Sequence, residues 1–330
     1  MTRFTGAGSE EVDQVKEGAK ILLVTATNVE TAALHEHFRP LRPHGRCSRI
    51  TVGNQTYYIG RLGNYGVIHV QCQMGSVLPG ASECTVAEAI AFWGVKAVVM
   101  VGIAFGVDRD KQRIGDVLVS KTVIPYEIKR VGKGKPVHRN PIPPCGAILL
   151  NRFSNGRQWH HFLARRQKAC LIPAQLLSGE SLIDNKSYRT RLLAAFPQAD
   201  GGEMEGSGVF AAAHQKGIEW ILVKGICDFA DGKKSQGKKS KQLTAAASAA
   251  SLCAHVFSQP GRTVMAVPWT SMVDFLGLLM VSERCRFNPV EFDGINCINL
   301  SRRNQMKAEG GRPKRAREAL IPDFPFCHKL

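Results

Sequence analysis

Residues 201–231 read GGEMEGSGVFAAAHQKGIEWILVKGICDFAD, and the fold turns on how they are parsed. Three carboxylates stand among small residues, Glu203 and Glu205 at one end and Asp228 at the other. Between them Ser207 to Gln215 is rich in alanine and Gly217 stops it, the pattern of a helix with glycine past its end. Ile218 to Ile226 then reads as a short buried strand, interrupted by Lys224 and Gly225. Helix then strand returns the chain to the face it left, so Glu205 and Asp228 are predicted to lie near one another. Acids set among Gly and Ala suit a site that receives hydroxyl groups and shares a proton. They also suit plainer tasks, Glu203 and Glu205 at a helix N-terminus and Asp228 in a turn cap.

Working outward, Ile21 to Ala26 is a mostly apolar run typical of a buried first strand. Asn28 is expected to cap a helix whose apolar stripe uses Ala32, Ala33 and Leu34. Glu30 falls in its first turn, at the carboxyl end of the strand, where open α/β sheets bind ligands. An acid there also complements the helix dipole. Thr56 to Ile59 and Gly66 to Gln73 read as strands with Gly60, Gly63 and Asn64 between them, followed by a helix over 80–92. Val98 to Ile103 is the next core strand, and Ile114 to Ser120 leads into another. Residues 131–146 read as a loop without the spacing of a phosphate-binding loop. A helix is expected over 158–166; His160 and His161 would point to different faces, so they are no metal pair. Gln242 to Phe257 reads as a closing helix. This alternation predicts an α/β, three-layer sandwich with a mixed central sheet over residues 19–258. Residues 1–18 are expected to be a loosely attached N-terminal extension. Residues 259–330 are expected to be a poorly structured tail.

The net charge of +17 is the unusual bulk property of this 330-residue chain. Such an excess suits nucleic acid, an anionic surface or an anionic small molecule. No helix-turn-helix, zinc-finger or aromatic RNA-binding signature accompanies the basic runs, which disfavours nucleic acid. No run reaches the roughly eighteen apolar residues of a membrane span. Ten cysteines without CxxC or paired spacing disfavour disulfides and zinc, and predict a reduced, intracellular protein with no metal and no cofactor. The expected location is cytoplasmic; Arg312, Lys314, Arg315 and Arg317 fit either a nuclear-import signal or a solvated patch.

Glu203-Met204-Glu205, followed by Gly225-Ile226-Cys227-Asp228-Phe229-Ala230-Asp231, resembles the paired signature of the purine nucleoside phosphorylase/uridine phosphorylase superfamily. The resemblance runs from about Lys20 to about Phe257. It is nearest the methylthioadenosine/S-adenosylhomocysteine nucleosidase branch, and the motif set also resembles phosphorylase-like domains of immune-effector type. It implies a nucleoside phosphorylase-like fold, a purine nucleoside or nucleotide as substrate, and a homo-oligomer. By the same resemblance Asp228 is the acid that protonates purine N7 and Glu30 the carboxylate that activates water. Glu205 would grip the ribose hydroxyls, with Glu203 and Met204 beside it. Met74-Gly75-Ser76 is a loose match to a turn near the ribose or phosphate. Ala104 lies in a turn, Gly102 to Gly106, that resembles the branch's close approach to the nucleoside. Leu182 and Ile183 match the segment lining the base, a position that plain core packing would fill equally well.

Three residues depart from the branch: Ile103 and Cys227 replace serines, and Lys224 stands for an arginine on the substrate. The phosphate arginines of phosphorylases are missing, since Thr25 to Glu30 occupies the first loop and Met100 and Val101 precede Gly102. Hydrolysis is therefore expected, with a phosphorylase or a weakened nucleotide-binding module as the alternatives. Lys233, Lys234, Lys238 and Lys239 follow the acid motif and suit either a polyphosphate or a solvated loop.

Overall fold

Val12 and Val15 are buried within an otherwise polar stretch and anchor helix α1 (Ser9–Gly18) to the core. Burying each contributes about 1.5–3 kcal/mol. Ahead of α1, β1 (Phe4–Gly6) pairs in parallel with a later strand. Residues 2–18 are therefore not the loose extension their polarity predicts. The structure, a computed structural model, describes residues 2–259 apart from 42–44, 131–136, 140 and 157. The expectations for the tail and for its basic cluster lie outside the described residues, as does part of the expected loop over 131–146.

β2 (Ile21–Thr25) is fully apolar except for Thr25 and leads into α2 (Asn28–Glu36). The cap of α2 is Thr27, not Asn28, because Thr27 and Glu30 form a capping box. Ala33 and Leu34 face the core, whereas Ala32 is exposed. β3 (Cys47–Val52), β4 (Gln55–Leu62) and β5 (Tyr65–Gln71) form an antiparallel meander. α3 (Ser82–Trp93) precedes β6 (Ala97–Gly106), β7 (Val117–Pro125) and a small hairpin of β8 (Lys129–Arg130) and β9 (Val137–His138). α4 (Ala147–Ser154) follows. The helix expected over 158–166 does not form. Gln158 and Arg166 have φ of 67° and 56°, and a three-residue 3-10 turn at Ala164–Arg166 is the regular structure there. The remaining elements are β10 (Leu171–Ser178), α5 (Lys186–Ala195), β11 (Gly201–Glu203), α6 (Gly206–His214), β12 (Glu219–Asp228) and α7 (Lys238–Ser258).

The result is a mixed α/β fold with a mixed central sheet. The strand order is β1-β3-β4-β5-β2-β6-β11-β10-β7-β12, and β12 returns to pair with β6, closing that half into a ring. β2 and β12 both run parallel to β6. Their carboxyl ends therefore share one edge, where Ala26, Gly102 and Asp228 come together. Helix α7 lies so close to β12 that a Cβ on Gly225 would come within 2.0 Å of the Ala245 carbonyl oxygen. Only glycine fits that crossing. No helix among the described residues is long and apolar enough to cross a membrane.

Candidate active site

The capping box that starts α2 also builds the first wall of the site. Glu30 Oε2 accepts from the amides of Ala26 and Thr27, each at 2.8 Å, and the Glu30 amide donates back to Thr27 Oγ1 at 3.3 Å. The other oxygen, Oε1, accepts from the Ile103 amide at 2.9 Å. Gly102 makes this possible, since a Cβ there would lie 2.6 Å from Glu30 Oε1 and 3.3 Å from Lys224 Nζ. Burial raises the Glu30 pKa; the Lys224 charge opposes the rise, Glu205 adds to it, and the two loop amides also oppose it. Glu30 is thus an acid that takes a proton more readily than a free carboxylate.

The second wall comes from β11 and the start of α6. Glu203 does what a helix-start acid does: its carboxylate accepts from the amides of Glu205 and Gly206. It also pairs with Lys224 at 3.1 Å. Glu205 Oε2 accepts from Lys224 Nζ at 2.9 Å, and its Oε1 accepts from the Gly75 amide at 3.3 Å. The turn after β5 is held on the same residues, because Ser76 Oγ donates to the Met204 carbonyl at 3.0 Å.

Lys224 itself is completely buried. Burial alone would lower its pKa, but the carboxylates of Glu205, Glu203 and Glu30 together outweigh it and raise the pKa. The ammonium was expected on the substrate; it lies behind the carboxylates instead and is not part of the cavity wall.

The third wall is the end of β12. Asp228 Oδ1 accepts from the Ala230 amide at 2.9 Å, and Oδ2 accepts from the Cys227 thiol at 3.2 Å. Ala230 holds this turn with φ of 51°, a left-handed value that costs a non-glycine residue about 1–2 kcal/mol. Burial, then the charge of Asp228, push the Cys227 thiol well up, so it stays a donor. Lys234 Nζ lies 3.4 Å from Asp228 Oδ2. The Lys234 amide and that of Gly232 both donate to Asp184 Oδ1, which holds this loop against the segment after β10.

These walls enclose a partly open cavity of about 160 Å3. Glu30 and Asp228 both line it, with Ala104, Met204 and Glu205 between them. Leu182 and Ile183 line it too, but differently. Leu182 is 61% exposed at the mouth, while Ile183 is 5% exposed and packs into the second core cluster. Of the four lysines singled out for phosphate, Lys234 and Lys238 reach the cavity and Lys233 and Lys239 do not. Lys238 and Lys239 lie in the first turn of α7 rather than in a loop. Phe105 and Ser181, which belong to the two segments matched to the nucleoside and the base, line it as well, and so does Gln242, which sequence reasoning missed. That reasoning also missed Thr27, although Thr-x-x-Glu before an apolar run is a legible capping signal. Among the described residues no cluster of His, Cys, Asp or Glu could hold a metal ion.

The phosphorylase superfamily model matches residues 20–258. The chain belongs to the phosphorylase superfamily. Among superfamily relatives, the death domain-containing ATP nucleosidase of Amphimedon queenslandica is 30% identical over 278 residues, covering 76% of this chain and 51% of that protein. The chain thus spans about half the length of that relative. The 5′-methylthioadenosine/S-adenosylhomocysteine nucleosidase of Staphylococcus epidermidis is 24% identical over 186 residues, 56% of this chain and 78% of that protein. Among solved structures, the methylthioadenosine/S-adenosylhomocysteine nucleosidase of Colwellia psychrerythraea, crystallised with adenine, superposes with a TM-score of 0.63. It is 20% identical and covers 73% of this chain and 95% of that one, a likeness of superfamily fold.

Proposed function

We propose that this chain hydrolyses the N-glycosidic bond of an adenine nucleoside or nucleotide. The observation that carries the reading is that Glu30 and Asp228, brought from the ends of β2 and β12, line one cavity. The names of the sponge and staphylococcal relatives support the same chemistry. In this reading the base sits at Asp228 and the ribose hydroxyls at Glu205. As the bond between C1′ and the purine nitrogen breaks, Asp228 passes a proton to N7 and a water attacks C1′. Glu30 takes the proton that water gives up. Its burial and its raised pKa suit that role.

The three departures from the branch also fit turnover. Where a serine hydroxyl is absent, the Ile103 amide holds Glu30. The Cys227 thiol donates to Asp228, and Lys224 supplies the buried cation. Water therefore fits as nucleophile better than phosphate, with Glu30 in the first turn of α2, the stretch where phosphorylases place an arginine.

Nucleotides are the favoured form of substrate. Lys234 and Lys238 line the cavity, and Lys234 rests on Asp228. A phosphate that draws Lys234 away would leave that carboxyl free for the base. We further expect a homo-oligomer, on superfamily resemblance, and a cytoplasmic location.

Incubating the full chain with ATP, AMP, adenosine and methylthioadenosine and assaying free adenine tests the reading. Release of adenine without ribose 1-phosphate, with phosphate present, is the expected result. Formation of ribose 1-phosphate would make it a phosphorylase, and absence of adenine from all four would leave a binding module.

A further inference from the structure

His69 lies in the interior of the sheet, completely buried, on β5 opposite Leu23 of β2. Both of its ring nitrogens are engaged, and both lead to helix α2. Nε2 lies 2.9 Å from Thr25 Oγ1, which lies 2.7 Å from Thr31 Oγ1. Nδ1 lies 3.0 Å from Nε2 of His35. Thr31 is the neighbour of Glu30 in the first turn, and His35 is in the last. One imidazole therefore pins both ends of the helix that carries Glu30. Thr25 also sits directly before Ala26 and Thr27, the two amides that hold the Glu30 carboxylate.

The chain of hydrogen bonds has a direction that can be read from its far end. Gln71 Nε2 donates to Asn28 Oδ1 at 3.0 Å, which leaves Gln71 Oε1 to accept from Thr31 Oγ1 at 2.7 Å. With its only proton given to Gln71, Thr31 must accept from Thr25. Thr25 must then accept from His69, so His69 carries its proton on Nε2 and accepts at Nδ1 from His35 Nε2–H. Each hydroxyl and the His69 ring are used once as donor and once as acceptor. The rings around the pair belong to Phe4, Phe38 and Tyr58 and carry no charge at neutral pH. Burial lowers the pKa of His35 to about 4, and burial together with His35 holds that of His69 well below the ordinary imidazole value, so both stay neutral.

We infer that His69, as the Nε2–H tautomer, is a positioning residue that sets the place of Glu30 by clamping Thr25 to Thr31. The inference rests on the reading of Glu30 as the base. His69 touches no substrate; it acts through the turn it holds. A Glu30 that drifts from the Ala26 and Thr27 amides would lose bonds that keep its pKa down, while Lys224 on β12 and Glu205 at the N-cap of α6 still face it. The acid limb of the kcat/KM profile would then move to higher pH.

Three substitutions test this. His69→Gln places an amide nitrogen near where Nε2 stood and keeps the bond to Thr25; His69→Asn reaches only the His35 side. Thr25→Val removes the clamp hydroxyl at nearly constant shape. His69→Asn and Thr25→Val are expected to lower kcat by up to about 10²-fold, the scale of a 1 Å misplacement, with KM nearly unchanged and the acid limb raised. His69→Gln and Thr25→Ser should recover most of the loss. Equal losses in His69→Asn and His69→Gln, or an acid limb unmoved in Thr25→Val, would overturn the inference.

Two readouts stand apart from catalysis. Imidazole 15N shifts of the 330-residue chain should show His69 as the Nε2–H tautomer at neutral pH, and an Nδ1–H tautomer would overturn the assigned direction. Amide exchange over residues 26–31 should rise in Thr25→Val and not in Thr25→Ser, and equal protection in both would remove the clamp. If Glu30→Gln proves fully active, the base assignment fails by itself, and these two readouts still decide the clamp.

Discussion

The ammonium of Lys224 lies 2.9 Å from Glu205 Oε2, behind that carboxylate and sealed from solvent. Three acids share its charge, with Glu203 at 3.1 Å and Glu30 acting through space. Removing it leaves those acids buried without a counter-ion. Lys224→Met should therefore destabilise the fold by about 3–5 kcal/mol, measured by urea unfolding. Lys224→Arg keeps the charge and should be far milder, limited by the room for a fork in a packed site.

The same lysine sets a pH window. Burial raises the Glu30 pKa above the ordinary carboxylate value of 4.5, and a base works only when ionised. Activity should fall, as pH drops, at a higher pH than a free glutamate would give. Any Lys224 variant without charge that still folds should move this acid limb higher still, since the Lys224 charge is the largest force holding the pKa down. A limb that stays at the position of an exposed carboxylate would remove Glu30 as the titrating group.

Glu30→Gln and Asp228→Asn should each lower kcat by roughly 10²- to 10⁴-fold, the range for losing a general acid or base. Far-UV circular dichroism should stay native in both. Full adenine release in either variant would take that residue out of the mechanism.

Lys238 gives a cleaner test of nucleotide preference than Lys234, because Lys234 also touches Asp228. A charge-assisted hydrogen bond contributes about 1.5–3 kcal/mol, so Lys238→Gln should reduce the preference for ATP over adenosine about 10- to 100-fold. Lys233→Gln and Lys239→Gln, outside the cavity wall, are the controls and should leave that ratio unchanged. Equal loss for both substrates in Lys238→Gln would make the lysine structural.

Cys227 bonds Asp228 through a thiol, a weak donor. Cys227→Ala should slow base release by about five-fold, the worth of one modest hydrogen bond. Cys227→Ser should match or exceed the parent rate, and a slower Ser variant would mean that size, not donation, matters there.

How much of this was legible depended on whether a signal was local. β2 and β6 are nearly continuous apolar runs and β12 is one interrupted by Lys224 and Gly225, so their burial shows in the sequence. β3 carries exposed Arg49 and alternating burial, and it fell below notice. In α1 only Val12 and Val15 reach the core, too little periodicity to outweigh eight other residues of mostly polar type. Residues 158–166 contain good helix formers, yet the left-handed backbone at Gln158 and Arg166 overrides propensity. In the site, Glu30 and Asp228 came from motif and register. The turning of Lys224 away from the cavity did not, because it follows from three acids that meet only in the folded sheet. The clamp of His69, Thr25 and Thr31 left no trace in local spacing for the same reason.

β6 bonds to β12 along one edge and, on the other, to β2 and then, at its carboxyl end, to β11. Glu30 arrives with β2 near the start of the described chain, and Asp228 with β12 near its end. Pairings between such distant segments form slowly, since a long loop must close before any contact rewards it. A chain emerging from the ribosome carries Glu30 long before β12 exists, and the ring cannot close until β12 is made and pairs with β6 and β7. The cavity therefore has no half-built form. Whatever chemistry it performs depends on both ends of the described chain, and is lost when β12 detaches.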